Sequence, residues 1–231
     1  MPFFYIYYER TCDHPILISQ REVLWRKYAC AKKLPRCINA CGKEETIGKE
    51  SCKQKTISKV TITRYIEYLC DAFLIDSAVR YDIKGKKYIG TPVKYYFTDI
   101  GLRNARLNFR QLEETYTMEN IIFNELKIRG FNVDIGVVVV NGSGKDGSRV
   151  RKQYEIDFVC NKGSRRYYIQ SAYAIPDQAK MEQEQRSLML TGDAFKKIMI
   201  TKDAPAPYYN ERGVLIMSVF DFMLNPDSLE Q

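Results

Sequence analysis

Two carboxylates and a glutamine stand where a short antiparallel hairpin would gather them. In YEIDFVCNKGSRRYYIQSA, residues 154–172, strict alternation puts Glu155, Asp157 and Val159 on one strand face and Tyr154, Ile156 and Phe158 on the other. Asn161, Lys162, Gly163 and Ser164 carry turn chemistry, and Gly163 is free to take a positive φ. A turn centred on Lys162–Gly163 pairs Glu155 with Gln170; a centre one residue later pairs Asp157 with Gln170. Either register brings Gln170 to the acid face, and a one-residue slip removes it. Acids clustered on a sheet face are what a divalent-metal nuclease uses to hold Mg²⁺ and activate water.

The surrounding elements must position these groups. A helix is expected over Tyr116–Arg129, with Met118, Ile121, Ile122 and Leu126 inward and Gly130 as its stop. Glu119 falls in its first turn, where the helix dipole favours a carboxylate, and a functional role requires it to point at the hairpin acids. A strand over Phe131–Val140 and a Gly/Ser/Lys loop lead to the hairpin. Asp177 caps a helix that runs to Leu190 and stops at Gly192; strands Phe195–Thr201 and Val214–Ser218 follow, then a short helix near Phe220–Leu224. The order α-β-β-β-α-β defines a mixed α/β core.

Upstream, Ile62, Tyr65, Ile66, Leu69 and Phe73 recur at helical spacing behind a Ser58 N-cap, with Thr61, Thr63, Arg64 and Glu67 on the opposite face. Strand Ile75–Tyr81, a turn at Lys84-Gly85-Lys86 and strand Tyr88–Ile89 make a basic-tipped hairpin. A helix with a hydroxyl-bearing edge followed by such a hairpin reads as the end of a winged helix, with Arg64 facing DNA and Lys84, Lys86 and Lys87 meeting phosphates. The alternative is a helix-plus-hairpin unit that packs against a partner protein. Lys94–Asn104, KYYFTDIGLRN, reads as a short strand running into a turn at Gly101, the hinge to the second half.

The bulk properties narrow the function classes. At 231 residues the chain holds one large or two small domains. Its formal charge is +8, unevenly spread: residues 1–110 carry 21 Lys/Arg against 11 Asp/Glu, and residues 111–231 carry 15 against 17. A basic front half implies a polyanionic partner, DNA being the one expected. No apolar run is long enough to span a bilayer, and MPFFYIYYER is a poor signal peptide, so no membrane association is expected. Seven cysteines without regular spacing indicate reduced thiols and a cytoplasmic location. Cys30, Cys37, Cys41 and Cys52 lack the paired spacing of a zinc site. Gly42–Glu50 is not a phosphate-binding loop, because five residues separate its glycines and Glu50 stands where Ser or Thr should hold Mg²⁺.

The order of helix with Glu119, strand, YEIDFV, YIQSAY, helix and strand resembles the PD-(D/E)XK, restriction-endonuclease-like fold. Together with KYYFTDIGLRN it resembles the C-terminal region of bacterial and archaeal AAA-type ATPases over about residues 56–225, where a winged helix precedes a nuclease-like domain. The resemblance implies an uncertain N-terminal remnant at 1–55, a winged-helix-like domain at 56–100 and a nuclease-like domain at 101–231. By the same resemblance Glu119 matches the leading acid, Asp157 the central metal-binding aspartate and Gln170 the third acidic position. Glu155 joins the catalytic set, and Asp157, Gln170 and Glu119 are the metal ligands if the site is active. Two departures matter. No ATPase domain is present, which suggests a truncated or rearranged gene product whose ATPase partner is a separate chain. Ala172 stands where the family has its lysine, a group that orients water and stabilises phosphoryl charge, so Lys162, Arg165 or Arg166 must take that role if any residue does. The expectation is a DNA-binding, catalytically silent nuclease-like protein without cofactor. Its alternatives are a Mg²⁺- or Mn²⁺-dependent deoxyribonuclease with an altered site, and a protein-binding adaptor.

Overall fold

Period-two alternation and helical apolar stripes organise the chain, and a computed structural model describes residues 59–109, 113–143, 149–204 and 206–230. Ser58 and the cysteines of the first 55 residues lie outside the described residues. The elements in order are α1 (Lys59–Asp71), β1 (Ile75–Asp82), β2 (Lys87–Phe97), α2 (Ile100–Arg106), α3 (Glu114–Ile128), β3 (Asn132–Ser143), β4 (Arg149–Lys162) and β5 (Arg165–Ala172). They continue with α4 (Gln178–Met189), β6 (Lys196–Thr201), β7 (Tyr208–Tyr209), β8 (Val214–Ser218) and α5 (Val219–Leu224).

The fold is mixed α/β. One eight-stranded sheet runs β2-β1-β3-β4-β5-β6-β8-β7. β3, β4 and β5 form an antiparallel meander; α4 then crosses to β6, which lies parallel to β5. The core therefore keeps the α-β-β-β-α-β order read from the sequence. One face is covered by α3 and α5, whose Ile122, Phe123, Leu126 and Phe222 pack with Phe158, Cys160, Ile169 and Ile198. The other is covered by α4, whose Leu188 packs with Ile156, Val159, Tyr168 and Ala172. None of the described helices is long and apolar enough to cross a membrane.

Three expectations are corrected. The division near residue 100 falls within one sheet, because β1 pairs in parallel with β3 through Arg80–Ile135, Tyr81–Gly136 and Asp82–Val137. Gly101 is not a turn: Asp99 accepts from the Leu102 N–H at 3.0 Å and caps α2, which contains Gly101. The stripe of α1 is only partly covered, and Phe73 is 75% exposed.

Candidate functional site

β4 is aimed by a bulge. Between the pairs Asp134–Val159 and Gly136–Ile156, β3 contributes one residue, Ile135, and β4 two, Asp157 and Phe158. Strict alternation therefore fails at this point. Phe158 joins the core face under α3 and Val159 the face under α4, the reverse of the sequence expectation. Gly136 makes the bulge possible. A Cβ there would lie 2.8 Å from Val159 Cγ2 and 2.9 Å from Ile156 Cβ.

β2 carries a larger irregularity. Between Ala78–Lys94 and Arg80–Ile89, β1 has one residue and β2 has four, Gly90 to Val93. Pro92 has no N–H to give a ladder, which suits it to such an interruption. The strand resumes at Lys94, and its alternation places Lys94 and Tyr96 together. Asn120 of α3 ties down the end of this strand, accepting from Phe97 N–H at 2.9 Å and donating to Phe97 O at 2.8 Å.

These two irregularities assemble an ionic cluster. Lys94 Nζ lies 2.7 Å from Glu155 Oε1, 3.1 Å from Glu119 Oε1 and 3.9 Å from Asp157 Oδ1. Tyr96 donates its hydroxyl to Glu119 at 2.8 Å, and Arg80 donates to Glu155 at 2.6 Å. Asp157 Oδ2 accepts from the Ser171 N–H at 2.8 Å. Glu119 and Asp157 are only 14% and 13% exposed.

Burial and mutual repulsion set the charges. The Asp157 carboxyl is pushed up to about 8, first by burial and then by the Glu119 charge, while Lys94 and the Ser171 N–H oppose the rise. Burial works against the Lys94 ammonium, but Glu119, Asp157 and Glu155 outweigh it and raise the group above the ordinary lysine range. Burial, then Glu119, raises the Tyr96 phenol well above its usual value. The cluster thus holds its ammonium firmly and keeps a proton on Asp157 near neutrality.

The structure brings Glu119, Glu155 and Asp157 together and leaves Gln170 aside. The hairpin takes the later register, pairing Phe158 with Ile169, so Asp157 stands opposite Gln170. Gln170 nevertheless lies on the α4 side. Its Oε1 is 3.4 Å from the Asp157 backbone N, and its Nε2 is 3.5 Å from Glu184 Oε2. It lines a cavity there with Glu155, Glu184 and Arg186, apart from Glu119 and Lys94. Glu119 is in the second turn of α3, which begins two residues earlier than expected, and Lys94 and Tyr96 hold it in place of the helix dipole.

The three proposed substitutes for the missing lysine all point elsewhere. Lys162 donates to Arg129 O, Arg165 pairs with Glu230, and Arg166 donates to Asn161. Lys94 is the residue that sequence reasoning missed. Its signal was the Lys-x-Tyr alternation immediately after a proline-broken strand. An ammonium already lies among these carboxylates, and among the described residues no group of three or more His, Cys, Asp or Glu side chains is placed to hold a metal ion.

The basic residues lie on α1, for Arg64, and at the β1–β2 turn, for Lys84, Lys86 and Lys87. Arg64, Lys84, Lys86 and Lys87 are all exposed. Asp82 accepts from the Gly85 N–H at 2.9 Å, and a Cβ on Gly85 would sit 2.4 Å from Asp82 Oδ2, so the tip requires glycine. Lys86 takes a φ of 51° to complete the turn.

Residues 28–113 match a family described as a domain of unknown function (DUF8612). An uncharacterized protein of Haemophilus influenzae is 34% identical over 170 residues, covering 72% of this chain and 38% of its own length. An uncharacterized protein of Methanocaldococcus jannaschii is 28% identical over 166 residues, covering 71% of this chain and 34% of its own. The chain thus spans little more than a third of the length of these relatives. No solved structure matches.

Proposed function

We propose that this chain binds DNA through a winged-helix-like unit, α1 with the β1–β2 hairpin, and that its restriction-endonuclease-like core is catalytically silent. In this reading it is the binding half of an AAA-type ATPase system whose ATPase is a separate chain. The observation that carries it is Lys94. Its ammonium lies within 3.1 Å of Glu119 and Glu155 and 3.9 Å of Asp157, so it takes the place between carboxylates that a catalytic cation needs. The antiparallel meander β3-β4-β5 followed by the α4 crossover to β6 supports the nuclease-like reading of the core. Ala172, packed in an apolar cluster, and Gln170, turned toward Glu184, leave the third motif without charge. Three exposed lysines on an ordered turn support phosphate contact.

The test is a gel series with labelled duplex DNA at low salt, with and without Mn²⁺. Retention without cleavage is expected, and Lys84, Lys86 and Lys87 replaced together by Glu should abolish retention. Unaltered retention by that triple variant would end the hairpin's DNA role. No retention, together with a stable complex with an ATPase chain, would favour the adaptor reading.

Lys94 also favours a second reading. It brings to the acids, from β2, the kind of group that Ala172 lacks, as a deoxyribonuclease with a relocated lysine would require. Metal-dependent cleavage lost in both Asp157→Asn and Lys94→Met would establish that reading over the silent one.

A further inference from the structure

Beside the lysine tip, aromatic rings and a guanidinium cross one face of the sheet. Tyr88, next to Lys87 on the edge strand β2, is 64% exposed, and its ring centroid lies 5.3 Å from that of Tyr81. The Arg166 guanidinium lies 5.4 Å from the Tyr81 ring and 5.3 Å from the Phe195 ring. Phe195 is 41% exposed and packs edge-on to Tyr168. The strip thus runs from β2 and β1 across β3 and β4, where Arg166 of β5 reaches the Tyr81 ring, to the start of β6. Two acids border it, and each is engaged by a phenol: Tyr88 donates to Asp134 at 3.3 Å and Tyr168 to Asp193 at 2.6 Å.

We infer that this strip is a binding path for single-stranded nucleic acid, an inference that rests on the DNA reading above and names its substrate form. Exposed rings interleaved with a guanidinium offer stacking surfaces to unpaired bases, and the neighbouring lysines offer charge to the backbone. A duplex buries its base faces and could use only the lysines. Base stacking on a ring tolerates any sequence, so the path has little sequence preference. Phosphate contacts at Lys84, Lys86 and Lys87 are shared by both forms, whereas Tyr88 and Phe195 act on the single strand alone.

Fluorescence anisotropy with labelled oligothymidine and a duplex of equal length separates the two claims. The wild-type chain should hold the single strand more tightly. Tyr88→Ala with Phe195→Ala should weaken single-strand binding roughly tenfold or more and leave duplex binding unchanged. Tyr88→Phe with Phe195→Tyr keeps both rings and should bind as wild type, and unchanged duplex binding by the alanine pair shows that this pair is folded. Equal affinity for the two forms, or an alanine pair that binds like wild type, overturns the single-strand path and leaves the DNA reading standing. Failure of both DNA forms to bind overturns both.

Discussion

The two charged regions of this molecule solve opposite problems. Around Lys94, three carboxylates, an ammonium, a phenol and the Arg80 guanidinium are packed under α3, each within reach of an opposite charge or hydrogen bond. At the hairpin tip, Lys84, Lys86 and Lys87 stand exposed on a turn fixed by Asp82 and Gly85. The charges of this half-buried cluster are matched inside the protein, because an unpaired charge held away from water costs more than the pair gains. Exposed charges cost little to hold and remain free for a polyanion. The first region therefore ties β2, α3 and β4 together, and the second is the one to which the proposed reading assigns binding.

Substitutions should separate the two regions. Lys94→Met leaves three carboxyl groups facing one another and should cost about 1–3 kcal/mol, below the range for a fully buried pair because the Lys94 and Glu155 side chains are 29% and 34% exposed. The loss, read from thermal melts, should shrink as pH falls and the acids protonate. A melt unchanged from wild type would mean that the cluster carries no stability.

Asp157→Asn acts through proton linkage. Asp157 has a folded pKa raised to about 8, so folding takes up a proton between the ordinary aspartate range and that value. Its contribution to stability is fully present at acid pH and is lost as pH rises through this window, by at most about 1.4 kcal/mol per pH unit. The asparagine variant should melt higher than wild type in mildly alkaline buffer and show a flatter pH profile. A steeper profile would contradict the assignment.

Gly136→Ala forces a methyl against Ile156 and Val159 at the bulge and should cost about 1–3 kcal/mol. At the other pole, Lys84, Lys86 and Lys87 replaced by Glu should each change stability by no more than about 0.5 kcal/mol, while DNA retention disappears. A triple variant that melts far below wild type would make the tip a second structural tie.

The sequence carried the order of the core because each segment had its own signal: the α3 stripe ending at Gly130, whose φ is +80°, and the Asp177 cap of α4. The expected meeting of Glu119, Glu155 and Asp157 is formed, and the later of the two hairpin registers is the one adopted. What alternation could not reveal was where alternation breaks. The β4 bulge puts Phe158 under α3 and Val159 under α4, each on the face opposite to the one alternation gave, and it depends on Gly136 in a neighbouring strand, a tertiary fact. The four-residue interruption before Lys94 was signalled by Pro92, but its partner across the sheet was not. Gln170 was placed with the acids because its register was right, whereas its side chain follows Tyr168 and Ala172 to the α4 face.

In the proposed reading Lys94 fills the space between the carboxylates and so closes the core to a catalytic cation. The direct measurement is the electron paramagnetic resonance signal of free Mn²⁺ during titration of wild-type protein. An undiminished signal of the hydrated ion is predicted. Loss of that signal on addition of protein, restored by Asp157→Asn, would contradict it.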